Sequence, residues 1–212
     1  MAGTFLVVEG PDGAGKTTLV AALVQRLVDT GHRVVQVREP GGTPAAELLR
    51  ELMLDQTEHA WTDAAELFLM LAARAELVHD VIRPAVDVGA IVVSDRFDLS
   101  TIAYQAVGRG LARVEVEASL HLATGGIAPD LTLVLDVGAG MGRSRQAAAG
   151  KAPDRIERAT HELHDRVAEF YAGVQGPGIT HIDASDVAAV VADRAWVIVS
   201  AYLAEHHSPA QG

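Results

Sequence analysis

The stretch from Thr4 to Leu19, TFLVVEGPDGAGKTTL, constrains the fold more than any other part of the chain. An apolar β-branched run leads through a glycine-rich turn into an amphipathic helix, and the turn matches G-x-x-x-x-G-K-[ST] at every fixed position. In that pattern backbone N–H groups and the helix start hold phosphate, the lysine binds β- and γ-phosphate oxygens, and the hydroxyl binds Mg²⁺. The alternative is a glycine-rich turn with a surface lysine. The predicted nucleotide-binding residues are Gly10, Pro11, Asp12, Gly13, Ala14, Gly15, Lys16, Thr17 and Thr18.

The length and composition predict a single soluble α/β domain over residues 1–207, followed by a disordered tail over residues 208–212. The net charge of −11 argues against a broad nucleic-acid-binding surface. Cysteine is absent, which excludes disulfides and fits a reducing compartment. A strand that starts at Thr4 leaves no room for a signal peptide, and no apolar stretch is long enough to span a bilayer. We therefore expect a cytoplasmic protein without membrane contact.

Five short β-rich runs alternate with helical patterns along the chain. Their near-continuous Val, Ile and Leu predicts strands buried on both faces, and hence a five-stranded parallel sheet flanked by helices. Ligands bind beyond the carboxyl ends of such strands, so the residues after each strand are the candidates for a site. Strands are predicted at residues 4–9, 33–38, 91–94, 131–136 and 180–183, and helices at 15–30, 44–54, 62–88, 99–107, 114–124, 156–173 and 187–206.

Polar side chains follow the second and third predicted strands. Arg38 precedes a proline and two glycines, a turn that can hold it over an anion, although an exposed surface arginine fits equally well. Asp95 is expected beside the phosphate-loop strand, where a carboxylate usually holds Mg²⁺; the alternative is a structural ion pair between Asp95 and Arg96. On the next helix, side chains four residues apart predict a hydrogen-bonding wall for a base and a sugar. These side chains are Ser100, Thr101, Tyr104 and Gln105.

The segment over residues 137–153 is rich in Gly and Ala, and five cations fall within sixteen residues there and just beyond. We interpret it as a lid, about residues 138–158, whose charges close over polyphosphate; the alternative is a solvated loop. Its cations are Arg143, Arg145, Lys151, Arg155 and Arg158. His161 and His164 lie three residues apart, which does not match a zinc-protease motif and is typical of an exposed helix face.

Arginines distributed over four segments suit two phosphorylated ligands that face each other, and no N-K-x-D segment for guanine is present. This arrangement favours phosphoryl transfer between nucleotides by alignment and charge neutralisation. By themselves, Met70 and Arg74 on the long third helix fit core packing and a snorkelling surface side chain.

From Phe5 to about Leu203 the chain resembles the bacterial thymidylate kinases (dTMP kinases). The resemblance implies a three-layer P-loop nucleoside monophosphate kinase fold, the reaction of ATP and dTMP to ADP and dTDP with Mg²⁺, and a homodimer packed through helices such as the third. The segments that carry it are VEGPDGAGKTT (8–18), REPGGT (38–43), AAR (72–74), SDRFDLSTIAYQ (94–105), PDLTLVLDV (129–137) and DRIE (154–157).

The resemblance also implies a role for each matching residue. Lys16 would hold ATP phosphates, Thr17 and Asp95 the metal ion, and Asp12 the 3′-hydroxyl region of the acceptor. Because the phosphate loop has no extra arginine, the catalytic cations would lie in the lid. The remaining assignments are Arg38 and Arg96 to the dTMP phosphate, Arg74 and Gln105 to the thymine edge with help from Ser100 or Thr101, Tyr104 to the sugar 2′ position, and Arg143, Arg145 and Arg155 to the lid cations.

One position departs from the family pattern. Met70 stands where the family usually places a phenylalanine that stacks on thymine, and the loss of a flat ring costs about 1 kcal/mol. Phe68 is expected to turn away from that face and therefore not to compensate. Two alternatives follow: a kinase for another pyrimidine or modified deoxynucleoside monophosphate, or a nucleotide-binding regulator without catalysis.

Overall fold

The computed structural model describes residues 3–54, 61–148 and 160–206. Within these ranges five strands form one sheet in the order β2-β3-β1-β4-β5, and every neighbouring pair is parallel. The predicted five-stranded parallel sheet is therefore confirmed. The strands are β1 (Thr4–Glu9), β2 (Val34–Arg38), β3 (Ile91–Asp95), β4 (Leu131–Asp136) and β5 (Ile179–Asp183).

The helices cover both faces of the sheet and agree with the sequence pattern, with three exceptions. The long third helix is interrupted by a π-helical turn at Val78–Ile82, and a π-helical segment at Ile102–Gly108 extends the short helix Asp98–Thr101. The prediction had no helix directly after the fourth strand, where Ala139–Ala148 is helical. The helices are α1 (Lys16–Asp29), α2 (Pro44–Leu54), α3 (Asp63–Leu77), α4 (Arg83–Asp87), α5 (Asp98–Thr101), α6 (Arg113–Thr124), α7 (Ala139–Ala148), α8 (His161–Gly173) and α9 (Ala188–His206).

The start of α8 has a local cause. The Thr160 side chain accepts a hydrogen bond from the Leu163 N–H, which caps the helix and fixes its first residue at His161. The prediction began this helix at residue 156, and residues 149–159 lie outside the described residues, as does the predicted tail.

Strand β1 lies at the centre of the sheet, and all six of its residues are buried. Leu6 and Val8 pack in the core with α1 and α9, while Phe5 and Val7 pack on the opposite side with Leu77. The central position of β1 brings the phosphate loop to the middle of the carboxyl edge of the sheet. Among the described residues, no helix combines the length and apolar character needed to cross a membrane.

Two glycines let the phosphate loop pass close to its neighbours. Gly10 has φ 140°, and a Cβ there would lie 2.9 Å from the Leu135 carbonyl oxygen. Gly13 has φ 76°, and a Cβ there would lie 2.1 Å from the carbonyl oxygen of Gly142 in α7. Any larger residue at either position would both strain the backbone and force these segments apart.

The imidazole of His181 joins β4 to the end of α8. Its Nδ1 lies 2.8 Å from Asp136 Oδ1, and its Nε2 lies 2.7 Å from the Val174 carbonyl oxygen. Burial favours the neutral ring, but the Val174 carbonyl and the Asp136 carboxylate outweigh it and raise the pKa of His181 above its ordinary value. Both ring nitrogens face acceptors, which suits the protonated ring.

We expect His181→Ala to lower the melting temperature more at pH 5.5 than at pH 8.5. The folded-state pKa is raised, so the stabilisation is fully present below the ordinary pKa of about 6.5 and is lost as the pH rises through the folded value. Thermal melts by circular dichroism at the two pH values would measure this. The control is His79→Ala, since that side chain is exposed; an equal loss for His181→Ala at both pH values would contradict the prediction.

Candidate active site

A cavity of about 540 Å³ opens at the carboxyl edge of the sheet, between the phosphate loop, the ends of β2 and β3, and helices α2, α3 and α7. Most of the predicted site residues line it, although they come from distant parts of the chain. These are Asp12, Gly13, Gly15, Lys16, Thr17, Thr18, Arg38, Met70, Asp95, Arg96, Ser100, Tyr104 and Arg145.

Lys16 begins α1 and is folded onto the phosphate loop. Its Nζ donates to the carbonyl oxygens of Gly10 at 3.0 Å and of Pro11 at 2.8 Å. Burial and the neighbouring Arg96 guanidinium outweigh the nearby carboxylates and lower the pKa of Lys16 to about 8. The ammonium group is therefore already held in the loop, where phosphate oxygens would exchange with the two carbonyls.

The hydroxyl of Thr17 donates to Asp95 Oδ2 at 2.6 Å. One hydroxyl and one carboxylate at this distance are the oxygen ligands that Mg²⁺ uses together with water and phosphate. The described residues contain no group of three or more acidic, histidine or cysteine side chains that could hold a metal ion without such a ligand. The pair thus fits a metal ion that arrives with a nucleotide.

Arg96 is held in an unusual conformation directly after β3. Its φ is 76°, and its side chain donates to Ser100 Oγ at 3.0 Å and to the Gly10 carbonyl at 3.3 Å. It forms an ion pair with Asp12, and its guanidinium carbon lies 5.3 Å from the centroid of the Tyr104 ring. The ionic partner of Arg96 is therefore Asp12 of the phosphate loop, and Asp95 is bonded to Thr17 instead.

Asp12 is the acceptor at the centre of this cluster. The Tyr104 hydroxyl donates to its Oδ2 at 2.6 Å. Burial favours the protonated acid, but Arg96, Lys16 and the Tyr104 hydrogen bond outweigh it and lower the pKa of Asp12 below its ordinary value. His164 Nδ1 lies 3.9 Å from the same oxygen and is largely buried, so the expectation that this histidine lies on an exposed face was wrong.

Arg38 lies at the end of β2 with half of its side chain exposed to solvent. Its Nη2 donates to both carboxylate oxygens of Glu47, at 2.9 and 3.0 Å, and its Nη1 donates to the Pro40 carbonyl at 3.1 Å. Arg50, on the same helix as Glu47, also donates to Pro40 at 2.7 Å and lines the cavity. Sequence reasoning missed Arg50; its spacing of three from Glu47 was the available signal.

Arg74 does not line the cavity. Its guanidinium is buried and donates to Glu39 Oε2 at 2.7 Å, to Thr101 Oγ1 at 2.7 Å and to the Phe97 carbonyl at 2.8 Å. The snorkelling alternative for Arg74 was therefore wrong, and its predicted contact with the base stays a prediction. It forms a wall behind Glu39, which does line the cavity.

Gln105 is also buried behind the cavity and donates to Glu66 Oε1 at 3.1 Å. Within the described residues, Gln105 Oε1 and Glu39 Oε1 have no hydrogen-bond partner. Met70 lines the cavity, whereas Phe68 is 64% exposed on another side of α3, as the sequence predicted.

Arg145 was predicted as a lid cation over polyphosphate. In the structure it donates to the carbonyl oxygens of Ala184 at 3.0 Å, Asp186 at 3.3 Å and Ser185 at 3.4 Å, and so joins α7 to the β5–α9 loop. It also lines a second cavity of about 350 Å³ on the other side of the phosphate loop, together with Val187. A sequence does not show which backbone carbonyls a side chain will contact. The position of Arg145, and with it the second cavity, was therefore not predicted.

Two other lid cations were predicted to act in catalysis. Arg143 belongs to α7, but its side chain is not among the described ones, and Arg155 lies outside the described residues.

The family model described as thymidylate kinase matches residues 8–195. The chain belongs to the thymidylate kinase family. Its relatives include thymidylate kinases of Cereibacter sphaeroides, Pseudomonas entomophila and Thermomicrobium roseum. The first is 44% identical, and the match covers 96% of this chain and 97% of the relative. The second is 43% identical, with 90% of this chain and 92% of the relative covered. The third is 42% identical, with 92% of this chain and 94% of the relative covered. The parallel sheet with helices on both faces, described above, is the three-layer P-loop nucleoside monophosphate kinase fold expected for a thymidylate kinase.

We expect ADP to bind about tenfold more weakly at pH 9 than at pH 7 when the metal ion is removed with EDTA, because the Lys16 ammonium loses its proton near pH 8 and one pH unit corresponds to 1.36 kcal/mol. Isothermal titration calorimetry would measure the dissociation constant across this range.

The matched control for this titration is Lys16→Ala. It should bind ADP weakly and with little dependence on pH. A wild-type dissociation constant that stays flat from pH 7 to pH 9 would contradict the assignment of this pH dependence to Lys16.

Proposed function

We propose that this chain transfers the γ-phosphoryl group of ATP to the 5′-phosphate of dTMP, giving ADP and dTDP. The family match and the names of the relatives support this reaction. The observation that carries the proposal in molecular terms is that Lys16 of the phosphate loop lines the same cavity as Arg38 and Arg96. A donor loop and acceptor cations that face one space are what an in-line transfer between two nucleotides requires.

On the donor side, we assign the ATP phosphates to the loop amides and Lys16. The second cavity is assigned to the adenosine, because it shares Gly15, Thr18 and Arg145 with the main cavity and offers Val187 as an apolar wall. This places the base on one side of the loop and directs the γ-phosphate toward Arg96.

On the acceptor side, Arg38 and Arg96 bind the dTMP phosphate. The Arg38–Glu47 pair is exposed to solvent, so a phosphate dianion can take the place of the carboxylate at little cost. Arg96 is fixed and also stabilises charge on the transferred group. The ionised Asp12 accepts the 3′-hydroxyl of the sugar.

We further propose that Mg²⁺ binds at Thr17 and Asp95. When bound, it would neutralise charge on the β- and γ-phosphates. The 2.6 Å contact between hydroxyl and carboxylate supports this assignment, since both residues line the main cavity.

Thymine is assigned to the end of the cavity beside Met70. The predicted contacts of Arg74, Thr101 and Gln105 with its edge stay part of the proposal, and the unpaired Gln105 Oε1 supports them, since it is an acceptor that the N3–H of thymine could fill. In this structure these three side chains lie behind the cavity lining, so a direct contact requires a local rearrangement of the wall. Met70 offers a polarisable sulfur in place of a stacking ring.

The domain limits and compartment are also inferences. We infer one domain over residues 1–207 with a lid at about 138–158, in which Arg143, Arg145 and Arg155 remain the predicted catalytic cations. The absence of cysteine from the chain and the family match support a cytoplasmic enzyme.

A homodimer is supported by an apolar face across α2, α3 and α6. Its exposed side chains lie four residues apart on α2 and eight residues apart on α6, and both of these helices contact α3. Exposed apolar surface of this kind marks protein interfaces, and a twofold axis pairs such a face with itself. The face, which we call the α2–α3–α6 face, comprises Leu48, Leu52, Phe68, Val114 and Leu122.

The reaction is tested with an ADP-release assay that compares dTMP, dUMP, UMP and dCMP. We expect dTMP to be the best substrate and ATP to be consumed only when an acceptor is present. A better rate with another deoxynucleotide would favour the alternative pyrimidine kinase, and no turnover at all would favour the regulator; the comparisons support neither alternative.

Two Tyr104 variants refine this assay. Tyr104→Ala removes the ring that crowds the 2′ position and should reduce the preference for dUMP over UMP. Tyr104→Phe keeps the ring, loses only the hydrogen bond to Asp12, and should retain the preference while turning over more slowly. An unchanged preference in Tyr104→Ala would contradict the steric role.

The dimer is tested with Phe68→Lys, which places a charge in the α2–α3–α6 face. Light scattering after size-exclusion chromatography should give a dimer for the wild type and a monomer for this variant. Val197→Lys is the matched control, because Val197 is 67% exposed on α9, away from that face. A monomeric wild type, or a dimeric Phe68→Lys variant, would contradict the proposed interface.

A further inference from the structure

Glu9 is a fully buried carboxylate at the end of β1, one residue before the phosphate loop. Its Oε1 accepts hydrogen bonds from the backbone N–H groups of Phe97 at 2.8 Å and Ser100 at 3.1 Å. Its Oε2 lies 2.7 Å from Ser100 Oγ and 2.8 Å from the Tyr171 hydroxyl, and both donate to it. Four donors offset the cost of burying this charge. Neither Glu9 nor Tyr171 belongs to the site assigned above.

The carboxylate fixes the backbone on the C-terminal side of Arg96. Phe97 and Ser100, whose N–H groups it accepts, form the start of the helical segment that follows Arg96. On the other side, the Arg96 N–H donates to the Val8 carbonyl at 3.0 Å, and its carbonyl accepts from Ser94 Oγ at 2.7 Å. A non-glycine residue with φ 76° persists only where its neighbours over-determine it, and Glu9 accepts two of the four hydrogen bonds that hold this stretch of backbone.

The same carboxylate orients the contact that holds the Arg96 side chain. Ser100 has one hydroxyl proton, and when that proton goes to Glu9 Oε2, the lone pairs of Ser100 Oγ turn toward Arg96 Nη1 at 3.0 Å. Burial and the charge of Glu9 raise the pKa of Tyr171 well above its ordinary value, so the phenol keeps its proton and stays a donor. The result is a continuous chain from Tyr171 through Glu9 and Ser100 to Arg96.

We propose that Glu9, supported by Tyr171, is a positioning residue that fixes the Arg96 guanidinium for phosphoryl transfer. This inference rests on the proposed role of Arg96. A guanidinium that acts on charge developing in the transition state must already be in place, and a small displacement of such a group lowers the rate strongly. Glu9 reaches neither substrate; it acts through Ser100 and the backbone of residues 96–100.

The first test compares Glu9→Gln and Tyr171→Phe by steady-state kinetics. Glu9→Gln places an amide donor against groups that themselves donate, and we expect kcat to fall by about 10- to 100-fold, the range seen when supporting hydrogen bonds around a site are removed. Tyr171→Phe removes one of the four donors and should lower kcat less. The KM for ATP should stay the same in both. Two matched controls are expected to keep the wild-type kcat. They are Glu117→Gln, in the exposed pair of Arg113 and Glu117, and Tyr202→Phe, on α9.

The second test is a double-mutant cycle with Arg96→Ala under single-turnover conditions. If Glu9 acts through Arg96, then Glu9→Gln should cost less than about twofold once Arg96 is absent, because residues in one network are not additive. If Glu9→Gln lowers the rate by the same factor in the Arg96→Ala background as in the wild type, the positioning role is overturned while the role of Arg96 stays intact. A wild-type rate in Arg96→Ala would instead overturn the proposed function of Arg96.

Circular dichroism and thermal melts separate these effects from misfolding. If Glu9→Gln does not fold, the same cycle is measured with Tyr171→Phe. A wild-type kcat in folded Tyr171→Phe overturns the proposal. A reduction in kcat that is absent in the Arg96→Ala background supports it.

Discussion

The buried ion pair between Arg96 and Asp12 joins the two halves of this site. Arg96 follows β3 and Asp12 follows β1, so the pair bridges the carboxyl ends of two neighbouring strands. A buried pair is favourable only when its remaining hydrogen-bonding groups are satisfied, and here Ser100 and Tyr104 satisfy them. The phosphate loop and Arg96 are therefore joined into one connected unit.

Arg38, Arg74 and Arg96 each have an acidic partner, in keeping with the net charge of −11 on the chain. The partners differ in exposure and therefore in function. An exposed ion pair contributes about 0–1 kcal/mol to stability, so its carboxylate is easily replaced by another anion, as the proposed role of Arg38 requires. Opening the buried Arg74–Glu39 pair would leave a charge unpaired, so the proposed contact of Arg74 with thymine requires a rearrangement that keeps this pair intact.

The sheet and the phosphate loop could be predicted because their signals are local: a β-branched run, fixed glycines and a lysine. The helix α7 could not, since three glycines between residues 138 and 142 hide its start. The sequence could not reveal that Glu39 and Thr101 accept the hydrogen bonds of the Arg74 guanidinium. The Arg145 contacts and the position of His164 depend on chain segments packed together only in the folded protein, which no pattern within one helix encodes.

Helix α8 contributes two side chains to the centre of the molecule, His164 beside Asp12 and Tyr171 against Glu9. They are seven residues apart, which separates them by about 10.5 Å along the helix axis. This one helix therefore contacts the phosphate loop and the carboxyl end of β1 at the same time. A rotation of α8 about its own axis would change both contacts together, so the helix that follows the predicted lid is mechanically coupled to Asp12 and to Glu9.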